Sequence, residues 1–278
     1  MKLYKRNGTV LIEHQGNFFE SDLSWDELVN QRNLFQFIKA HLSSCRATEP
    51  VNLMQPLDAP IGSQELWAAG VTYLRSKEAR EKESEHSGGG SFYDKVYDAK
   101  RPELFFKALP SRISGHRSAV HIRKDSIWDV PEPELTLMIS SLGTIEGYSI
   151  GNDMSSRSIE GENPLYLAQA KVYDRSAALG PCLWVLEDPI DVDTNIRLQI
   201  IRKGNLVFEG ATALSKMKRS LQELADFLFL ETSFPNGAML MTGTGVVPPD
   251  EFTLAVDDQI EITIDGIGTL INTVNKKH

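Results

Sequence analysis

Residues 130–140 read VPEPELTLMIS and set Glu132 and Glu134 two positions apart at the head of an alternating apolar stretch. Side chains two apart on an extended strand share a face. Glu132, Glu134 and Thr136 then point one way, and Leu135, Leu137 and Ile139 point the other, into a core. Pro133 keeps Glu132 extended and donates no ladder hydrogen bond, which puts the pair at a strand end or edge within reach of a ligand. The alternation of the next stretch, IEGYSIGND, stops at Gly151-Asn152-Asp153, a turn-like tripeptide. If the two strands form a hairpin, Asp153 returns beside the glutamates. Three convergent carboxylates make a hard oxygen site for Mg2+, Mn2+ or Ca2+ and leave coordination positions for water and substrate. Taken alone, the E-x-E pair fits a solvated strand face or a salt-bridged pair better. The metal reading therefore rests on what surrounds it.

The chain has 278 residues, 41% hydrophobic and 24% charged, enough for one large domain with a small appendage or for two modest domains. No apolar run approaches the length of a membrane helix, and the opening MKLYKRNGTV turns polar too soon for a signal peptide. Cys45 and Cys182 make neither a disulfide framework nor a metal-ligand spacing, and no two of the six histidines stand at a zinc spacing. A net charge of −9 argues against a nucleic-acid surface. These features predict a cytoplasmic protein with neither a membrane nor a nucleic acid as partner.

KLYKRNGTVLIEHQGNFFES predicts a hairpin turning at Asn-Gly, and residues 22–42 predict a helix capped by Asp22 or Ser24. The proline-broken stretch at 51–62 reads as a linker. Residues 1–60 are therefore expected to be a small leading α/β domain and 61–278 the main body. Residues 74–103 are charged and helix-prone and carry Gly88, Gly89 and Gly90. That segment fits a solvated helical excursion or a lid hinged at the glycines. Beyond it the chain is rich in strand patterns, broken by one helix that starts at Ser220 with Glu223 three residues on. With few helices alternating with strands, a doubly wound sheet is not expected. A rolled, mixed α+β fold is.

EPELTL, GYSIGNDMSSRSIEGENPLYLAQAKVYDRSAALGP, RPELFFKA, MTGTG and DDQIEITIDGIGTLINTV together resemble the fumarylacetoacetate hydrolase family over roughly residues 65–275. The resemblance implies a mixed β-roll assembled as a homodimer or higher homo-oligomer. It implies a divalent metal, usually Mg2+, on Glu132, Glu134 and Asp153, and a small 2-oxo acid or β-dicarbonyl substrate. Lys171 would lie over that substrate and Thr244 near its carboxylate. Family hydrolases place a water-activating histidine and glutamate after a tyrosine. Here Tyr73 is followed by Ser76 and Ala79 at those places, and serine is a poor base at neutral pH.

GVTYLRSKEAR and SSRSIEGENPLYLAQAKVYD narrow the resemblance to the sugar-acid branch. Its members remove water from a 2-oxo-3-deoxy sugar acid such as 2-dehydro-3-deoxy-D-arabinonate, giving a dioxo acid through an enolate. In that branch a glutamate matching Glu103 sits near the reacting carbons. Leu104, Phe105 and Phe106 would supply an apolar setting for proton transfer. Lys171 would neutralise the substrate carboxylate or the enolate. If the segment hinged at the glycines closes over substrate, Arg75 or Ser76 would reach the carboxylate or hydroxyls; Gln169 would contact the hydroxyls, and Ser155 and Arg157 would support the site. Each has a plainer rival: Glu103 a salt bridge to an arginine, Lys171 a surface pair with Asp174, Thr244 a turn. Acylpyruvate or fumarylacetoacetate-type C–C hydrolysis, or oxaloacetate decarboxylation, at the same site stands as the alternative activity. A non-catalytic binder is the third reading, against which the intact polar set argues.

Overall fold

The computed structural model describes residues 1–77 and 95–277. β1 (Lys2–Arg6), β2 (Thr9–His14) and β3 (Asn17–Glu20) form a meander. Its turns are Asn7-Gly8 and Gln15-Gly16, all four residues at positive φ. That backbone twist matches the flanking strands, and Asn-Gly is its strongest sequence signal. The helix expected over 22–42 resolves into two, α1 (Trp25–Val29) and α2 (Leu34–His41). Ser24 and Glu27 form a reciprocal capping box on α1, and Asn33, left-handed at φ 55, separates the two helices. β4 (Arg46–Thr48) pairs with β3, and the proline-rich stretch that follows is mostly loop.

β5 (Glu65–Gly70), β6 (Glu103–Ala108), β7 (Ile113–Ser114) and β8 (Ser118–Ile122) lead to the long hairpin of β9 (Asp129–Ile139) and β10 (Ile145–Ser156). Two short helices follow, α3 (Arg157–Glu162) and α4 (Leu167–Lys171). Then come β11 (Ala177–Trp184), β12 (Asn195–Arg202) and β13 (Asn205–Ala213). α5 (Leu221–Phe229) is capped by Ser220, whose hydroxyl accepts from the Glu223 N–H at 3.1 Å. β14 (Ala238–Met241), β15 (Gln259–Ile264) and β16 (Gly268–Lys276) complete the fold.

The strands make two sheets. The larger runs β4-β3-β2-β1-β11-β10-β9-β14-β5-β6, with β7 beside β11; the smaller runs β13-β12-β15-β16-β8. Most pairings are antiparallel, but β7 with β11, β14 with β5 and β16 with β8 are parallel. This is the mixed α+β roll that the sequence leads one to expect. Pairing of β1 with β11 makes the leading strands continuous with the main sheet. Among the described residues no helix is long and apolar enough to cross a membrane.

Two cores hold the layers. Between the sheets, Leu135, Leu137, Ile139 and Ile150 pack with Ile196, Leu198 and Ile200 and with Ile260, Ile262 and Ile264. On the other face of the larger sheet, Trp25, Leu28, Leu34 and Ile38 of α1 and α2 pack on Ala68, Met138, Leu179 and Met239. β9 is therefore buried on both faces along its whole length.

Two expectations about this hairpin need correction. β9 is not an edge strand, since it lies between β10 and β14. Its pairing with β14 nevertheless runs only from Ile139 to Thr136, so Pro133 sits past that ladder, where no donor is needed on the β14 side. Gly151-Asn152-Asp153 is not a turn either, because β10 continues to Ser156. Gly151 serves close packing instead: a Cβ there would lie 2.4 Å from Thr136 Oγ1 and 2.8 Å from Met241 Cε.

Candidate metal centre and active site

The β9–β10 register puts Asp153 directly opposite Glu132, and Gly151 opposite Glu134. Opposed residues share a face, as do residues two apart, so the three carboxylates converge. One oxygen from each lies within 4.8 Å of the others, and the residues are only 4%, 2% and 1% exposed. Buried carboxylates need compensation, since an unpaired charge away from water is costly.

Three cations and one backbone N–H supply it. Lys171, at the end of α4, places Nζ 2.5 Å from Glu132 Oε2, 3.2 Å from Asp153 Oδ2 and 2.6 Å from Ser155 Oγ. Arg157, opening α3, donates from Nη2 to Glu132 Oε1 at 2.8 Å. Lys107 on β6 sets Nζ 2.5 Å from Asp153 Oδ1. The Gly243 N–H donates to Glu134 Oε2 at 2.6 Å. Three carboxylates thus face three cationic side chains, where sequence reasoning set Lys171 alone against their charge.

The compensation is uneven. Burial, then the Asp153 and Glu132 carboxylates, push the Glu134 carboxyl well above the usual range. Burial also pushes Asp153 up, but the Lys107 and Lys171 ammoniums outweigh it and hold that carboxyl below its ordinary value. Burial, then Glu134, push the Tyr73 hydroxyl up, and its oxygen has no hydrogen-bond partner among the described residues. A crowded set of hard oxygen donors, one of them short of positive charge, fits a hard divalent cation.

Ser76, Phe105 and Thr244 line the small pocket that holds the carboxylates and Lys171. Ser76 Oγ donates to Tyr73 O at 2.7 Å and accepts from Tyr73 N–H, which closes a helical turn. Thr244 Oγ1 exchanges hydrogen bonds with the backbone of Val246, so its turn role is real as well. Glu103 stands opposite Gly70, which lines the pocket, and a Cβ on Gly70 would fall 2.0 Å from Glu103 Oε2. That oxygen is buried with no hydrogen-bond partner among the described residues. Val71, also in the lining, sits at φ 54, a strained conformation for a β-branched residue.

Glu103 itself is not in this lining but stands behind Gly70; the exposed Arg75 and Gln169 also lie outside it, and the Gln169 carbonyl accepts from Arg123. The glycine hinge at Gly88, Gly89 and Gly90 lies outside the described residues. Sequence reasoning missed Lys107 and Gly243. A lysine inside the apolar strand ELFFKA was the available signal for the first, and the first glycine of MTGTG for the second.

Residues 67–275 match the family model described as fumarylacetoacetate (FAA) hydrolase C-terminal. The chain is 49% identical over 218 residues to the probable 2-keto-3-deoxyxylonate dehydratase of Haloferax volcanii, covering 77% of this chain and 73% of that protein. It is 42% identical over 234 residues to the 2-dehydro-3-deoxy-D-arabinonate dehydratase of Saccharolobus solfataricus, covering 82% and 76%. A solved structure of 2-keto-3-deoxy-D-arabinonate dehydratase complexed with magnesium and 2,5-dioxopentanoate matches with a TM-score of 0.87 at 33% identity, covering 100% of both chains.

Proposed function

Because the chain belongs to the fumarylacetoacetate hydrolase family, we propose that it is a metal-dependent dehydratase of a 2-oxo-3-deoxy sugar acid. The observation that carries this reading is the convergence of Glu132, Glu134 and Asp153 beside Lys171 in one buried pocket. The three carboxylates would hold the cation, Mg2+ in this reading. Bound there, such a cation supplies Lewis acidity that polarises a 2-oxo group and acidifies its neighbouring C–H bonds.

The remaining work falls to the chain's own side chains. Glu103 takes a proton from C3, directly or through a water, and returns it to the C4 hydroxyl as that group leaves as water. Its Oε2 is suited to this because no hydrogen bond among the described residues occupies it. Lys171 offsets the negative charge of the substrate carboxylate or the enolate. Phe105 limits water beside the reacting carbons. Thr244 and Ser76 shape the wall through their turns. Ser76 commits its proton to Tyr73 O, and its hydrogen bonds among the described residues go to backbone rather than to a group that would make it a base. That favours dehydration over hydrolytic C–C cleavage. The reading includes a homodimer or higher homo-oligomer working in the cytoplasm, the first of which light scattering would check.

Incubating the protein with Mg2+ and a panel of 2-oxo acids, and following products by mass, tests the reaction. Loss of water is expected from a 2-oxo-3-deoxy sugar acid. Loss of carbon dioxide from oxaloacetate, or gain of water on an acylpyruvate, with no dehydration, would replace this reading with the alternative.

A further inference from the structure

We propose that Lys107 is a positioning residue that ties the carboxylate cluster to the helix carrying Lys171. The proposal rests on the reading of that cluster as a cation site. Lys107 is completely buried on β6, far from both partners in the chain. Its ammonium meets three oxygens: Asp153 Oδ1 in an ion pair at 2.5 Å, Met154 O at 3.1 Å and the carbonyl of Lys171. The two carbonyls accept hydrogen bonds from it, while Asp153 Oδ1 is held as an ion pair.

Each contact constrains something different. Holding Asp153 by Oδ1 leaves Oδ2 on the side of Lys171 and Glu132. The Met154 contact fixes the strand beside it. The Lys171 carbonyl closes the end of α4, where helix carbonyls lack intrahelical partners. A five-residue helix does not hold its own position. Lys107 thus sets both the oxygen that Asp153 presents and the root of the Lys171 side chain.

A plain counter-charge makes the opposite prediction. Removing a positive charge that only neutralised the cluster would tighten binding of a cation. Removing a clamp would loosen it. The test is calorimetric titration of metal-stripped wild type, Lys107→Gln and Lys107→Arg with Mg2+, alongside near-ultraviolet circular dichroism and steady-state kinetics. A positioning role raises the Mg2+ dissociation constant about tenfold or more in both variants, the range typical of residues that support metal ligands. It also lowers kcat more than it raises KM. Folded Lys107→Gln that binds Mg2+ as tightly as wild type, or more tightly, overturns the proposal. If Lys107→Gln does not fold, Lys107→Arg decides, and unchanged Mg2+ affinity and kcat there overturn it. Wild type that takes up no Mg2+ refutes the cation-site reading, and this proposal with it.

Discussion

Glu134→Gln separates the charge argument from the fold. The amide would keep an oxygen for the Gly243 N–H but would remove one of three anionic donors. A ligand at a hundred times its dissociation constant stabilises the folded state by about 2.7 kcal/mol. For 278 residues the unfolding entropy is about 0.6 kcal/mol per degree. Mg2+ at that level should therefore raise the wild-type melting temperature by about 4–5 °C. Glu134→Gln should show no such rise at the same Mg2+ concentration. The sign reverses without metal. A carboxyl whose folded pKa is raised loses stability as pH climbs through the interval between its unfolded and folded values. Burial and the neighbouring carboxylates raise Glu134 in this way. Metal-free Glu134→Gln should then melt no lower than metal-free wild type near neutral pH, and the difference should shrink in acid. Differential scanning fluorimetry with EDTA or Mg2+ across pH reads both effects. A variant that keeps the Mg2+ shift, or that melts several degrees lower without metal, refutes the reasoning.

Glu103→Gln should lower kcat on the order of a hundredfold or more while leaving the Mg2+-induced melting shift intact, as expected for a lost proton carrier. Burial pushes the Asp129 carboxyl up to about 6; Asp129→Asn should stabilise the protein by about 3 kcal/mol above that pH and not near pH 4, read from melting curves. Gly151→Ala brings a Cβ to 2.4 Å from Thr136 Oγ1, and should cost about 1–3 kcal/mol in denaturant unfolding.

What could be read from the sequence was local. Asn7-Gly8 specifies its turn because both residues accept positive φ. Ser24 with Glu27 caps a helix through neighbours in the chain. Glu132 and Glu134 share a face because the strand period is two. Family-like motifs added the remaining expected site residues, though Glu103 stands just behind the lining of the pocket and the exposed Arg75 and Gln169 lie outside it.

Tertiary structure decided what those local features meet. Lys107 reaches Asp153 and the Lys171 carbonyl only because α4 packs against both β6 and β10. Gly243 reaches Glu134 across 109 residues, after β14 has paired with β9. Periodicity shows which side chains share a face, but not which distant chain covers that face. Charge balance at a buried site depends on those distant partners, and so it was settled only when the sheets and helices packed.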